Sequence, residues 1–194
     1  MNKLEKKDLL SLEDYSLKRD TLRTKVLDIK RKRKVQIGSN VTLLFENKET
    51  IKYEMHEMLM VKKIFQPEGI EEELSAYNPL IPNGSNLKAT LLIEFPDEKI
   101  RREMLKKLIG IENKVWLQIG ENKRVFGIAD EDLDRSSEDK TSAVHFLRFE
   151  LSQLMIKEFK RGETLFSGIN HRNYNVRTRE ISKNISNSLS KDLS

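Results

Sequence analysis

The sequence predicts an α+β fold: a single mixed, mainly antiparallel sheet of about five to seven strands, with packed helices and a long N-terminal helix. Three observations predict it. Apolar side chains recur at 3-4 spacing across residues 11–34, as on one face of a helix. Two stretches, 41–46 and 87–95, are apolar on both of their alternating faces, the pattern of central strands. After each, the hydrophobic period switches to that of a helix, at 50–65 and 97–109.

The 194 residues suit one domain, read as 1–177, followed by a basic, polar tail at 178–194 that can turn helical. Cysteine is absent, which rules out disulfides, a thiol nucleophile and an iron–sulfur cluster ligated by this chain's own cysteines. Lys3 to Asp8 lacks the apolar centre of a signal peptide, and no run reaches the ~20 apolar residues of a membrane helix. The expectation is a soluble, cytoplasmic protein with no membrane partner. Net charge is uneven: +6 over residues 1–34, −4 over 35–170 and +3 over 171–194, so basic ends flank an acidic body. Such ends attract nucleic acid or an acidic partner, or the body itself.

Each element has its own warrant. The first helix, Ser11 to Lys34, carries Leu12, Tyr15, Leu22, Val26 and Ile29 on one seam and opens on Ser11 as cap. It closes on the cations Lys30, Arg31, Lys32, Arg33 and Lys34, which suit either a phosphate or the negative end of the helix. No aromatic side chain is interleaved there, so the run predicts only weak, salt-sensitive nucleic-acid binding. Val35 to Ile37 and Val41 to Glu46 are strands around a Gly38-Ser39-Asn40 turn. Thr50 is the expected cap of the next helix, whose stripe of Ile51, Met55, Met58, Leu59 and Ile64 reads as core. Pro67 opens a third helix that stops at Asn78-Pro79.

Leu87 to Phe95 repeats the two-sided strand. Glu46 and Glu94 stand at matching ends of these strands, which predicts two neighbouring, half-buried carboxylates. Lys114 to Ile119 and Lys123 to Ile128 read as a hairpin anchored by Trp116. Asp130 to Lys140 holds six acids but lacks the glycine and the final acid of an EF-hand, so it reads as a solvated loop. On the strand Ala143 to Glu150, His145 shares the inward face with Leu147 and Phe149 and needs a polar partner or a metal. Leu151 to Lys160 is a helix, and Thr164 to Ile169 a last strand that places His171 at its end.

Leu44-Phe45-Glu46-Asn47, Glu57-Met58-Leu59, the stretch Glu73 to Pro82, Ala89 to Phe95, Ala143 to Phe149 and Gly168 to Tyr174, in this order, resemble a bacterial family. It is the domain-of-unknown-function family numbered three thousand five hundred and one. The resemblance spans nearly the whole chain. The family pattern has proline at the position of Arg172, an acid at that of Asn170 and glutamine at that of His56, so His56 is left out of the candidate set. The family has no assigned activity, and no catalytic residue carries over. Its members are often genomic companions of rubrerythrins and iron–sulfur oxidoreductases. That implies an accessory or binding role beside redox or peroxide chemistry, with a rubrerythrin-type or iron–sulfur redox partner.

Three functional readings follow. The first is an accessory or binding protein linked to redox or peroxide defence. Its candidate site is the set Glu46, Glu57, Glu94, His145 and His171, whose imidazoles and carboxylates suit a divalent metal such as iron, manganese or zinc. The second is a phosphate or nucleic-acid binding protein using Lys30 to Lys34 and the tail. The third is a metal-dependent enzyme, although no catalytic motif is identifiable.

Overall fold

The computed structural model describes residues 3–131 and 133–194. Helix α1, Leu12–Arg31, follows a short 3-10 turn, and the Ser11 hydroxyl accepts from the Asp14 amide as its cap. It ends three residues before the predicted Lys34, because Arg33 turns inward and Lys34 opens strand β1, Lys34–Ile37. β2 is Val41–Phe45, and helix α2, Lys48–Lys62, starts at once after it. Asn47, not Thr50, caps α2. Thr50 sits at the third helical position and its hydroxyl accepts from the Asn47 amide, closing a reciprocal pair. Helix α3, Pro67–Tyr77, comes next, then β3, Asn86–Ile93, and helix α4, Glu98–Lys107.

The remaining elements are β4, Val115–Ile119; β5, Val125–Phe126; β6, Ile128–Ala129; β7, Val144–Glu150; α5, Gln153–Lys160; β8, Leu165–His171; β9, Tyr174–Arg177; and α6, Lys183–Ser190. They form two sheets, not the single mixed sheet that was expected. One runs β1-β2-β3-β7-β6 and the other β5-β4-β8-β9, and the described strand pairs are all antiparallel. The divergence begins at Gly127. The expected second hairpin strand breaks there, so that Val125–Phe126 pairs with β4 while Ile128–Ala129 pairs with β7. A Cβ at Gly127 would stand 3.1 Å from the Phe149 ring, tighter than ordinary contact, so a side chain there would have to push the ring aside. Strand β9 was not foreseen; it pairs with β8 across the Arg172-Asn173 turn.

The inner faces of both sheets share one core. Leu43, Leu91 and Phe149 come from the first sheet, and Leu117, Leu165 and Ile169 from the second. Ile181, Leu189 and Leu193, from the segment read as a tail, lie in that same core, with α6 beside α5. A smaller cluster of Ile51, Met55, Leu59, Leu74, Ile81 and Leu4 joins α2 to α3, with Ile64 packed on it, so the predicted stripe is core except for Met58, which is half-buried outside the cluster. Among the described residues no helix is long and apolar enough to cross a membrane.

Candidate functional site

The structure gives each of the five expected metal-site residues its own local partners. Glu46 is buried at the end of β2, where Thr50 and Thr90 donate their hydroxyls to its two oxygens at 2.5 and 2.7 Å. Glu94 is exposed and takes the Thr42 hydroxyl at 2.5 Å. The two do not neighbour each other as expected. β2 and β3 run antiparallel, Phe45 facing Ala89 and Val41 facing Ile93, so their C-terminal ends lie at opposite ends of the sheet. Glu57, on α2, receives the Arg19 guanidinium through two bonds of 2.7 and 2.8 Å, and the Tyr15 hydroxyl at 2.5 Å. His171 donates from Nε2 to the Ile109 carbonyl (3.1 Å) and accepts the Asn173 amide at Nδ1 (3.2 Å), so both ring nitrogens are used. Among the described residues no group of three or more His, Cys, Asp or Glu side chains is arranged to hold a metal ion.

The basic run is also dispersed. Lys30 pairs with Glu54 and Lys32 with Asp28, while Arg31 and Lys34 are exposed. Arg33 is 1% exposed; it donates to the carbonyls of Phe45 and Glu46 and pairs with Asp192. The run that was read as one anion surface therefore splits, and its most buried member holds the fold together.

His145 is fully buried. Its Nδ1 meets Asp130 Oδ2 at 2.5 Å, and its Nε2 lies 2.8 Å from the Thr141 hydroxyl and 3.0 Å from the Ser142 carbonyl. Glu112, itself buried, approaches Nε2 at 3.8 Å and accepts from Thr141 and Ser136. Strand alternation shows that His145 points inward. Thr141 and Ser142 stand just before that strand, whereas Asp130 and Glu112 come from farther along the chain and nothing near His145 marks them. Asp130 had been read into a solvated acidic loop, yet it turns back onto the imidazole through a left-handed conformation, φ 49°. Asp132, another acid of that loop, is outside the described residues.

What does converge is a small pocket on the outer side of β2, β3 and β7. By register Lys88 faces Arg148, and Glu46 is joined to Lys88 through its amide, which donates to the Lys88 carbonyl at 2.8 Å. Pro79, Leu80, Ala89, Phe146 and Leu147 make the apolar wall of a cavity of about 160 Å³, with Glu46, Lys88, Glu131 and Arg148 as its polar groups. Arg148 is held flat by Glu131 through two bonds of 2.7 Å. Lys88 Nζ reaches the Pro79 carbonyl. Burial pushes the Glu46 carboxyl above its ordinary value, against the pull of the Thr50 and Thr90 hydroxyls and the Lys30 charge. Burial also lowers the Lys88 ammonium, and the Arg148 charge adds to that. An acid shifted up and a base shifted down thus share one pocket, a pattern that clusters at functional sites. Such a pair can hold a small molecule by donating and accepting hydrogen bonds in a half-dry setting. Sequence reading named Glu46 but missed Lys88 and Arg148. The available signal was a cation on the outer face of each of two strands whose alternating residues are mainly apolar.

A family model described as "Protein of unknown function (DUF3501)" matches residues 3–193. Among solved structures, a crystal structure described as a novel protein of unknown function from Burkholderia pseudomallei superposes with a TM-score of 0.94. It is 46% identical, and the match covers 98% of this chain and 99% of that one. No curated protein matches.

Proposed function

The chain belongs to the DUF3501 family of proteins of unknown function, and we propose that it is a binding protein which takes a small organic molecule into the Glu46–Lys88 pocket. One observation carries the reading: a carboxyl raised by burial and an ammonium lowered by burial line the same cavity. The volume, about 160 Å³, is below the ~300–1,000 Å³ of pockets for drug-sized ligands, so the ligand has few heavy atoms. Its apolar part packs on Phe146 and Leu80, and its polar head meets Glu46 and Lys88.

Ligand-observed NMR with a set of small organic acids, amides and alcohols tests this. Binders should appear with the native protein and disappear with Glu46→Gln and with Lys88→Met. A set without binders, or binders that survive both substitutions, overturns the reading. The setting we favour for this binding is redox or peroxide defence beside a rubrerythrin-type or iron–sulfur partner, which rests on the family resemblance alone. A deletion strain no more peroxide-sensitive than its parent would remove that setting and leave the pocket assignment standing.

A further inference from the structure

We infer that the cleft between α1 and α2 is a second binding site, which takes a monocarboxylate with an apolar body of about eight to ten carbons. The cleft measures about 340 Å³, space for roughly eleven non-hydrogen atoms at ~30 Å³ each. Helix α1 lines it with Leu22, Val26 and Ile29, the spacing of one helical face. Helix α2 faces them with Glu49, Lys52, Tyr53 and His56, also one face but made of polar-ended side chains. The two rows do not fill the space between them. Leu10, Leu22, Val26, Ile29 and Tyr53 accordingly belong to neither hydrophobic cluster of the fold. The site shares no lining residue with the Glu46–Lys88 pocket.

The floor of the cleft is held in place by its own bonds. Tyr15 stacks on His56, with ring centres 4.6 Å apart and planes 11° from parallel, and its hydroxyl donates to Glu57 at 2.5 Å. His56 donates from Nδ1 to the Lys52 carbonyl at 2.8 Å and accepts the Leu10 amide at Nε2 at 3.0 Å. Both ring nitrogens are thus used and the imidazole is neutral, so it serves as an apolar surface and not as a ligand or base. Tyr15, His56 and Val26 are buried, whereas Leu10, Leu22, Ile29 and Tyr53 are half-buried and form the wall that a ligand can reach.

Charge selects the head group. Lys25, Lys52 and Glu49 are the charged residues lining the cleft, and among the described residues none of the three is ion-paired. The neighbouring acids are already taken: Asp8 by Lys48, Glu54 by Lys30 and Glu57 by Arg19. Two ammoniums against one carboxylate leave a single positive charge. That matches one carboxylate, whereas a phosphate monoester brings about −1.5 to −2. The apolar wall selects the body, since each CH₂ buried on it tightens binding about fourfold. Acids of few atoms cover too little of this wall to be held, so chain length separates this site from the smaller pocket at Glu46 and Lys88.

Calorimetric titration of the full chain with butanoate, hexanoate, octanoate and octylamine tests this, with amide shifts in NMR spectra locating the binder. Octanoate should bind below ~1 mM, hexanoate should be weaker by about fourfold per missing CH₂, and butanoate should not register. Octylamine should be weaker than octanoate by about fivefold. Shifts should centre on Leu22, Lys25, Val26 and Tyr53. Leu22→Trp fills the cleft from its half-buried wall and should abolish binding. The double variant Lys25→Glu, Lys52→Glu should weaken octanoate about tenfold and turn the preference to octylamine. Both variants should keep the native circular dichroism, and Lys88→Met should bind octanoate as the native protein does. No octanoate binding by ~1 mM, octylamine bound as tightly by the native protein, affinity kept in both cleft variants, or affinity lost in Lys88→Met overturns the assignment.

Discussion

Arg33 and Asp192, 159 positions apart, form a buried ion pair that joins the end of α1 to the turn after α6. The guanidinium also donates to the carbonyls of Phe45 and Glu46 at 2.9 and 3.0 Å and to that of Ser188 at 3.2 Å. Removing it strands a carboxylate and three carbonyls away from water. Arg33→Met is expected to cost about 3–5 kcal/mol, the usual penalty for breaking a buried pair from one side. The check is the midpoint of urea unfolding: a loss below about 1 kcal/mol would mean that water replaces the arginine.

The Glu57 carboxyl is held at about 2 by the Arg19 guanidinium first, against a burial penalty, with the Tyr15 hydroxyl assisting. A depressed carboxylate stabilises the fold above its unfolded value and loses that stabilisation as pH falls toward about 2. Arg19 is 42% exposed, which screens the pair. Glu57→Gln should therefore cost about 1 kcal/mol near pH 7 and nearly nothing near pH 2. Melting temperatures of the two proteins against pH should converge on the acid side; parallel curves would contradict the assignment.

Glu46 has the opposite sign. Its carboxyl is raised, so its contribution is complete below the unfolded carboxylate value and is lost as pH climbs through the folded one. Glutamine keeps the shape and the acceptor for Thr90 while removing the buried charge. The melting temperature of Glu46→Gln relative to the native protein should rise between pH 4 and pH 8. A fall over that range would show that the ionised carboxylate is the form the site stabilises.

Asp130 must hold a left-handed backbone and meet His145 at once. Asparagine tolerates that backbone and alanine does not, so Asp130→Ala should be the more destabilising by roughly 1–2 kcal/mol. His145→Ala should cost about 2–4 kcal/mol, because it leaves the Asp130 and Thr141 side chains facing a cavity. Equal losses for Asp130→Asn and Asp130→Ala in denaturant titrations would show that the backbone conformation carries no cost.

The sequence made periodic features legible and long-range ones not. Alternation along 41–46, 87–95 and 143–150 identified β2, β3 and β7 and the inward aim of His145, because burial on a pleat follows local order. The same pattern is silent on pairing direction. Glu46 and Glu94 look equivalent along the chain, and the antiparallel ladder alone sends them to opposite ends. Arg33 looked like one more cation at a helix end, since nothing nearby announces Asp192. β9 escaped because Tyr174–Arg177 is a short, polar edge strand whose partner, not its composition, makes it a strand. Lys88 and Arg148 gain their setting only when β3 and β7 lie side by side.

Gly127 joins the two sheets through five consecutive residues, 125–129, and this has a consequence for how the molecule breathes. Neither sheet can peel open at that corner without pulling on the other, since the same short segment is hydrogen-bonded to β4 and, two residues on, to β7. Amide hydrogens of Leu117 and Leu147, in different sheets, should then exchange in one shared opening event with the same free energy, while the ends of α1, with two buried side chains in twenty residues, exchange far sooner. The corner glycine turns two sheets into one cooperative unit.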